Sequence, residues 1–543
     1  MKASILLFVV ISFFCFLSID ANAQTPDWLW AQSAGDTGTE MADAVAVDAS
    51  GNLFVTGKFT SSTLSFGSTT LTNTGMEDIF LAKYDADGNV LWAKSAEGTV
   101  SDVPSAVVTD DSGNIYLTGR FKSSTLAFGA VILTNSGNND IFLVKYDADG
   151  NVLWAKCAGG INYESGNAIA ADALGNIYIA GYFSSPTITF GSITLTNVGS
   201  YDMFLAKFDA GGNALWAISV GDSDDEGINS VVADALGNTY VTGYFSSPTI
   251  TFGSTTLTNL GSYDVFLAKF DAGGNVLWAK SAGGTDDDEA NAVATDASGN
   301  VYGTGYFSSP AITFGSTTLT NAGIQNMYLV KYDSEGNVLW AKSAGGTDHD
   351  IAHSVAVDVS KNSYMTGYFE SPTIDFGSTT LTNSGNGDMF LAMFDTNGNV
   401  LWAKSTGGTN FDEGNAVATD ISGNIYSAGY YSSTDIAFGA TTLFNAGNGD
   451  MFCAKLESSI TGVDEVNHSF NVSIFPNPAT NKIAIETNIT GSITIVNTSG
   501  QQLLQQDITG PITTLDVSGL STGVYMLKVV GKESVQVGKF IKK

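Results

Sequence analysis

A Leu-Trp pair recurs along the chain with its tryptophan at Trp30, Trp92, Trp154, Trp216, Trp278, Trp340 and Trp402, and every step is 62 residues. No insertion or deletion breaks the period. A repeat of this length is one supersecondary unit that cannot bury its apolar face alone, so its copies must stack. The same regularity restricts function, because near-identical units offer near-identical surfaces.

Residues 40–95 show what one unit contains. Short β-branched and aromatic runs at 44–47, 53–59, 79–84 and 90–95 read as four strands. Two Gly-containing turns, Asp48-Ala49-Ser50-Gly51-Asn52 and Asp85-Ala86-Asp87-Gly88-Asn89, join them in pairs as hairpins require. The excursion at 60–76 links the pairs and carries a further small hairpin. The second turn begins like a calcium loop but has no downstream bidentate Glu, so it reads as a turn. Four antiparallel strands repeated radially make a β-propeller blade. Alanines crowd the first strand (Ala44 and Ala46, Ala168 and Ala170, Ala292 and Ala294), whereas the fourth carries the Trp. That gradient puts the first strand at the narrow axis and the fourth at the wide rim.

Strand counting predicts how the ring closes. The first turn begins with Asp48, Asp110, Asp172, Asp234, Asp296, Asp358 and Asp420, which is seven units. The last unit lacks a Leu-Trp strand, while residues 27–33 supply one before the first unit. The expectation is an all-β chain: a seven-bladed β-propeller over 24–457, its seventh blade closed by the N-terminal strand, followed by a small Ig-like β-sandwich.

Residues 1–23 read as a secretory signal peptide, with an apolar run from Ile5 to Ile19 and the cleavage signal Ala21-Asn22-Ala23. No later segment is long and apolar enough to span a membrane. The net charge is −32, and Arg120 is the only arginine. Such a surface repels phosphate and excludes nucleic acid as a partner. Two cysteines outlast signal removal, Cys157 and Cys453. Their unrelated places in the repeat exclude a disulfide framework, and both are expected to be free, buried thiols.

After the last repeat, 458–469 reads as a polar linker and 470–543 as a second β domain. Its strands are expected at 483–486, 492–497, 503–507, 513–517, 524–530 and 535–541.

Two stretches of the chain carry family resemblances. The pattern D-x-S-G-N-x-Y-x-T-G, seen at Asp296 to Gly305, and its continuation at Asp264 to Gly284 resemble the bacterial SBBP β-propeller repeat family. That family implies a fold and no agreed activity. Phe475-Pro476-Asn477-Pro478, then Gly523-Val524-Tyr525, then the terminal Lys542-Lys543 resemble the type A sorting domain of the type IX (Por) secretion system of Bacteroidota. The resemblance implies the type IX machinery as a partner and a secreted or outer-surface location.

The long loops all fall on one face of such a ring, where binding surfaces form. On it, Glu40, Asp102, Glu164, Glu226, Asp288, Asp350 and Asp412 recur as a ring of carboxylates. They read either as backbone caps, which repeated spacing favours, or as an acidic binding face. For Ca²⁺, the denser candidates are Asp222, Asp224 and Asp225 in one loop and Asp286, Asp287 and Glu289 in another. A second acid recurs at Asp78, Asp140, Asp202, Asp264, Asp388 and Asp450, with Asn326 once, and reads as a bond at the start of the third strand. His349 and His353, with Asp348 and Asp350, have transition-metal donor types. However, His353 replaces a polar position filled elsewhere by Asp43, Asn167, Asn229, Asn291 and Asn415, and drift of one repeat is the favoured reading. No nucleophile–base pair or phosphate loop is present.

The function expected is therefore a secreted or surface-displayed binding or adhesion module. It would present a pseudo-sevenfold acidic face to an extracellular glycan or surface protein, without a firm cofactor. The alternatives are an extracellular polysaccharide-degrading enzyme and a structural surface component.

Overall fold

The structure is a computed structural model that describes residues 26–457, 473–487, 491–497, 502–508, 510–531 and 535–543. The segments read as signal peptide (1–23) and linker (458–469) lie outside the described residues. Every described element is a strand. The chain divides into two compact units at Ser459/Ile460.

The first unit opens with β1 (Trp28–Ala34), β2 (Glu40–Val47), β3 (Leu53–Phe59), β4 (Thr63–Phe66), β5 (Thr69–Thr72), β6 (Asp78–Tyr84) and β7 (Val90–Ala96). β2-β3-β6-β7 form an antiparallel sheet in that order, and β4-β5 form a separate hairpin. The arrangement recurs to give seven four-stranded sheets among the described residues of this unit. The first strand of each sheet packs on the first strand of the next, and the last of these, Asp412–Thr419, packs on β2. The sheets thus form a closed, propeller-like ring with first strands innermost.

Burial follows the strand order. β3 and β6 are covered on both faces and are almost wholly buried, while β7 is mostly half-buried, with Leu91 exposed and Ala93 and Ala96 buried. The core lies between neighbouring sheets: Phe59, Phe66 and Phe80 share one cluster with Tyr426, Ala428, Met451 and Cys453 of the last sheet. Each fully buried aromatic contributes about 2–3 kcal/mol, so the sheet-to-sheet faces carry most of the stability.

β2 starts four residues earlier than the sequence pattern suggests. A bulge between Ala42 and Ala44 shifts the register there, which breaks the two-residue alternation that reveals a strand.

The Leu-Trp period has a physical explanation between sheets. The Trp154 indole N–H donates to Ala210 O at 3.3 Å, and the Lys145 ammonium reaches the same carbonyl at 3.2 Å. Lys145 also lies over the Tyr116 ring, 4.9 Å from its centroid. The indole rests on Gly212, whose φ is +77° and whose missing Cβ would fall 3.1 Å from the ring. Only glycine meets both conditions. The same Trp-to-turn bond recurs from Trp30, Trp92, Trp216, Trp278 and Trp340.

β1 completes the seventh sheet, pairing with Asp450–Leu456 in the order β1, Asp450–Leu456, Ile425–Tyr431, Asp412–Thr419. The seam uses the stitches that recur at most other junctions. Trp30 and Lys455 both donate to Ala86 O, at 3.1 and 3.0 Å, and Asn415 donates to Ala42 O at 3.1 Å.

One expectation about the cysteines is corrected. Cys453 is buried, but Cys157 is exposed. Cys157 sits on an outer strand, at a position where other repeats place a surface serine.

The second unit has a three-stranded sheet, Ser473–Phe475, Lys482–Glu486 and Ile512–Asp516. Its four-stranded sheet runs Gln502–Asp507, Gly491–Val496, Gly523–Gly531 and Val535–Lys542. Both contribute to one core, with Ile483, Ile485 and Leu515 meeting Ile493, Ile495, Leu527 and Phe540. Ser473–Phe475 was not anticipated, because three residues before a proline carry too little pattern.

Candidate functional site: the loop face of the ring

The connections from fourth to first strands and from second to third strands meet on one face. Backbone bridges such as Glu77–Ser101 and Gln325–His349 join them.

The seven recurring carboxylates lie on this side but are not displayed. Glu40, Asp102, Glu164, Glu226, Asp288, Asp350 and Asp412 are all fully buried. Asp102 Oδ1 accepts from the Lys122 and Ser123 amides at 2.9 and 3.1 Å, and Oδ2 accepts from Ser123 Oγ at 2.6 Å. Asp288, Asp350 and Asp412 accept from Ser309, Ser371 and Ser433 hydroxyls at 2.7 Å. Glu164 and Glu226 take the amides of Ser185 and Ser247, and Glu40 that of Ser61. Each carboxylate therefore satisfies loop donors of its own sheet. The expected acidic ring is a set of internal caps and not a binding face.

The loop acids proposed for Ca²⁺ do not converge either. Among the described residues, Asp222, Asp224 and Asp225 bring no three ligand atoms together, and neither do Asp286, Asp287 and Glu289. Their loops use other bonds: the Asp222 amide donates to Glu226 and Ser223 Oγ to Asp224. The Asp85 turn has Oδ1 accepting from the amides of Asp87 and Asn89 at 3.0 and 2.8 Å, the hydrogen-bonded turn read from sequence.

The second recurring acid is more unusual. Asp140, Asp202, Asp264, Asp388 and Asp450 are buried, and each has Oδ1 without a hydrogen-bond partner. Asn326, the exception in sequence, has the same unpaired oxygen. A glycine faces each, and a Cβ on Gly159, Gly283 or Gly407 would fall 2.0–2.3 Å from the carboxylate oxygen. Burial pushes Asp264, Asp388 and Asp450 up to about 6.

The bulge residue of the first strand forms a third ring. Asn167, Asn229, Asn291 and Asn415 each donate to the first-strand backbone of the next sheet, at 2.9–3.1 Å. Asp43 and His353 occupy this position in two repeats. Burial raises Asp43 to about 7 and lowers His353 to about 4. His353 Nε2 stands 3.8 Å from Glu413, whose carboxyl burial also raises.

What the face does present escaped the sequence reading. One position near the end of the second strand holds Lys58 and Arg120 in the first two sheets, then Tyr182, Tyr244, Tyr306, Tyr368 and Tyr430 in the other five. All these tyrosines are half-buried. Tyr182 meets Tyr201 edge-on at 5.3 Å, Tyr244 meets Tyr263 at 5.2 Å, and Tyr368 meets Phe411 at 4.7 Å. Tyr163, 46% exposed, extends the arc. Asp225, Asp287 and Glu289 lie among these rings. Burial and the neighbouring carboxylates hold the Tyr201, Tyr263 and Tyr306 phenols above their ordinary range, so they remain hydroxyl donors. The recurring Gly-Tyr-Phe was the available signal, masked by its resemblance to core pattern.

A cavity of about 570 Å³ opens on the opposite face, among the Asp48, Asp110 and Asp420 turns. Those aspartates are committed to the turns, as Asp48 shows by accepting from Ser50 and Asn52.

In the second unit the sorting-motif residues come together. Asn477 bridges to the last strand, donating to Lys539 O at 3.0 Å and accepting from the Ile541 amide at 2.9 Å. Gly523 pairs with Lys542 in register, Tyr525 stacks on Phe540, and Lys543 N donates to Ala479 O at 2.8 Å. Phe475, Pro476 and Pro478 flank Asn477, with Phe475 45% exposed.

Residues 473–543 match the secretion system C-terminal sorting domain. The chain is 25% identical over 519 residues to an uncharacterised WD repeat-containing protein of Acanthamoeba polyphaga mimivirus, covering 76% of this chain and 36% of that one. It is 23% identical over 430 residues to the regulatory protein FlaEY of Caulobacter vibrioides, covering 68% and 44%. The chain thus spans less than half the length of these curated relatives. Among solved structures, it aligns with PorZ, an essential surface component of the type IX secretion system of Porphyromonas gingivalis. That alignment has 10% identity and a TM-score of 0.15, covering 94% of this chain and 100% of that one. A puromycin hydrolase aligns at 14% identity and a TM-score of 0.30, over 75% of this chain and 62% of that one. Among the described residues no helix is long and apolar enough to cross a membrane. The chain is a secreted or cell-surface protein whose C-terminal domain addresses it to the type IX secretion machinery.

Proposed function

We propose that this protein is an extracellular binding module, a seven-bladed propeller of SBBP type followed by an Ig-like sorting sandwich. Its loop face takes hold of a polysaccharide. The observation that carries this reading is the arc of tyrosines across five neighbouring sheets, interleaved with Asp225, Asp287 and Glu289. Tyrosine offers a flat apolar face and a hydroxyl at low cost in side-chain entropy. Carboxylates between the rings accept hydrogen bonds from sugar hydroxyls. Five similar positions on a rigid ring suit a polymer with a repeating unit, because linked weak contacts gain by effective concentration. Binding needs only this array, whereas catalysis needs unlike groups meeting at one point.

Affinity electrophoresis of the mature protein against a panel of extracellular polysaccharides tests the proposal. Retardation by at least one glycan is expected. Tyr201→Ala or Tyr263→Ala should weaken it by roughly three- to tenfold, in line with about 1 kcal/mol per aromatic contact. Retardation that survives both changes together would move the site elsewhere, and no retardation by any glycan would remove the proposal.

A further inference from the structure

We propose that Asp348, His349 and Glu370 bind a divalent cation of the zinc class at the junction of the fifth and sixth sheets. One ligand atom from each residue lies within 4.8 Å of the other two. No other such trio of His, Cys, Asp or Glu occurs among the described residues. Glu370 stands 21 residues from His349, so sequence spacing does not reveal the set. His353, the neighbour suggested by sequence, faces Glu413 and Tyr368 instead.

Three observations separate this trio from a chance surface cluster. The first is its departure from the repeat. The Glu370 position holds Thr60, Lys122, Ser184, Ser246, Ser308 and Ser432 elsewhere, never another carboxylate. The His349 position holds no other histidine. Two unique donors thus arise at one place in one repeat. The second is the orientation of the imidazole. His349 Nδ1 lies 2.8 Å from Gln325 Oε1, and Gln325 Nε2 reaches Ser308 Oγ at 3.3 Å. An amide oxygen only accepts, so Nδ1 carries the proton and the Nε2 lone pair is left for a cation. A second residue that fixes the tautomer is the usual support of a ligating histidine. Gln325 too is unique at its position, where the other repeats place Glu77, Asn139, Tyr201, Tyr263, Gly387 and Gly449.

The third observation is pre-positioning of the backbone without charge compensation. The Glu370 amide donates to His349 O at 2.8 Å, and Asp348 N donates to Ser371 Oγ at 3.0 Å. No lysine or arginine forms an ion pair with either carboxylate among the described residues. Two half-buried carboxylates and an imidazole are therefore held close with no lysine or arginine paired to them. An imidazole with two carboxylates suits Zn²⁺ at about 2.0–2.2 Å, while Ca²⁺ and Mg²⁺ favour all-oxygen shells. Three protein ligands leave a coordination position for water or an incoming group.

Calorimetric titration of the untagged mature protein with ZnCl₂, after removal of bound metal by chelator, tests the site, with CaCl₂ as the parallel titrant. One saturable zinc equivalent is expected. His349→Ala and Glu370→Gln should each weaken it by at least about tenfold, and Gln325→Ala by roughly 10–100-fold through lost orientation. Circular dichroism melting checks that each variant is folded, and His349→Gln replaces His349→Ala if that variant is not. Co²⁺ in place of Zn²⁺ should give a visible absorption band that disappears in the His349 variant. The site is overturned by absence of saturable zinc binding, by undiminished binding in the folded His349 variant, or by preference for Ca²⁺. None of these outcomes bears on glycan retardation by the tyrosine arc, so the two proposals fail separately.

Discussion

At the scale of single residues, acids that look alike in sequence have opposite roles. Asp102 and its six equivalents are caps, and their 62-residue spacing made the ring visible. Their burial was hidden because the serine that closes each cap follows about 21 residues later. Asp264 and Asp388 differ, since each keeps an unpaired buried oxygen in a cradle made by a glycine. Their folded pKa of about 6 lies above the ordinary 3.8. A raised carboxyl adds stability below its unfolded pKa and loses it as pH climbs through its folded value. Melting temperature should therefore fall between pH 4 and pH 7 in scanning calorimetry. Asp264→Asn should leave stability unchanged near pH 4 and raise it near pH 8, by ~1–3 kcal/mol. Asn326 shows that the ring accepts the amide. A variant less stable at both pH values would mean that the carboxylate makes a bond essential to the loop. The Asp85-type turn acids are shifted downward by their Asn89-type partners, so they affect stability only at still lower pH.

At the scale of elements, strands and hairpins were legible because turn residues punctuate every run. The closing strand was legible by counting alone. The bulge and the tyrosine arc were not, for related reasons: one erases the alternation, and the other imitates a core residue. The seam makes a direct prediction. Deleting 24–34 removes β1, leaves the strand Asp450–Leu456 with one bare edge, and strips Ala86 O of its indole donor. The shortened protein should melt well below the full one and form oligomers on size-exclusion chromatography, because an open edge pairs with another chain. Equal stability and a monomeric profile would show that β1 is dispensable. Within the ring, Gly212→Ala forces an L-residue to φ +77° against the Trp154 indole, at a cost of about 1–3 kcal/mol.

At the scale of the whole molecule, the chain joins a pseudo-symmetric ring to an address. The ring's regularity was plain in the sequence, and so was the sorting domain, whose motifs are separated in sequence yet meet at Asn477 and the last strand. What the regularity concealed is that the repeats are equal in scaffold and unequal at the loop face. Lys58 and Arg120 mark one sector, tyrosines another, and His349 a single junction. In a host with type IX secretion, removing 473–543 should leave the protein behind the outer membrane, as fractionation and immunoblotting would show. Normal appearance outside the cell would deny the domain that role. The seam matters mechanically as well. If the protein is held by its C-terminal end, tension enters the ring at Leu456. That strand is not an edge: β1 grips one side, with Trp28 opposite Leu456, and Ile425–Tyr431 grips the other. A pull must break both hydrogen-bonded ladders at once, so the strand that carries the tether is among the most firmly clamped in the ring.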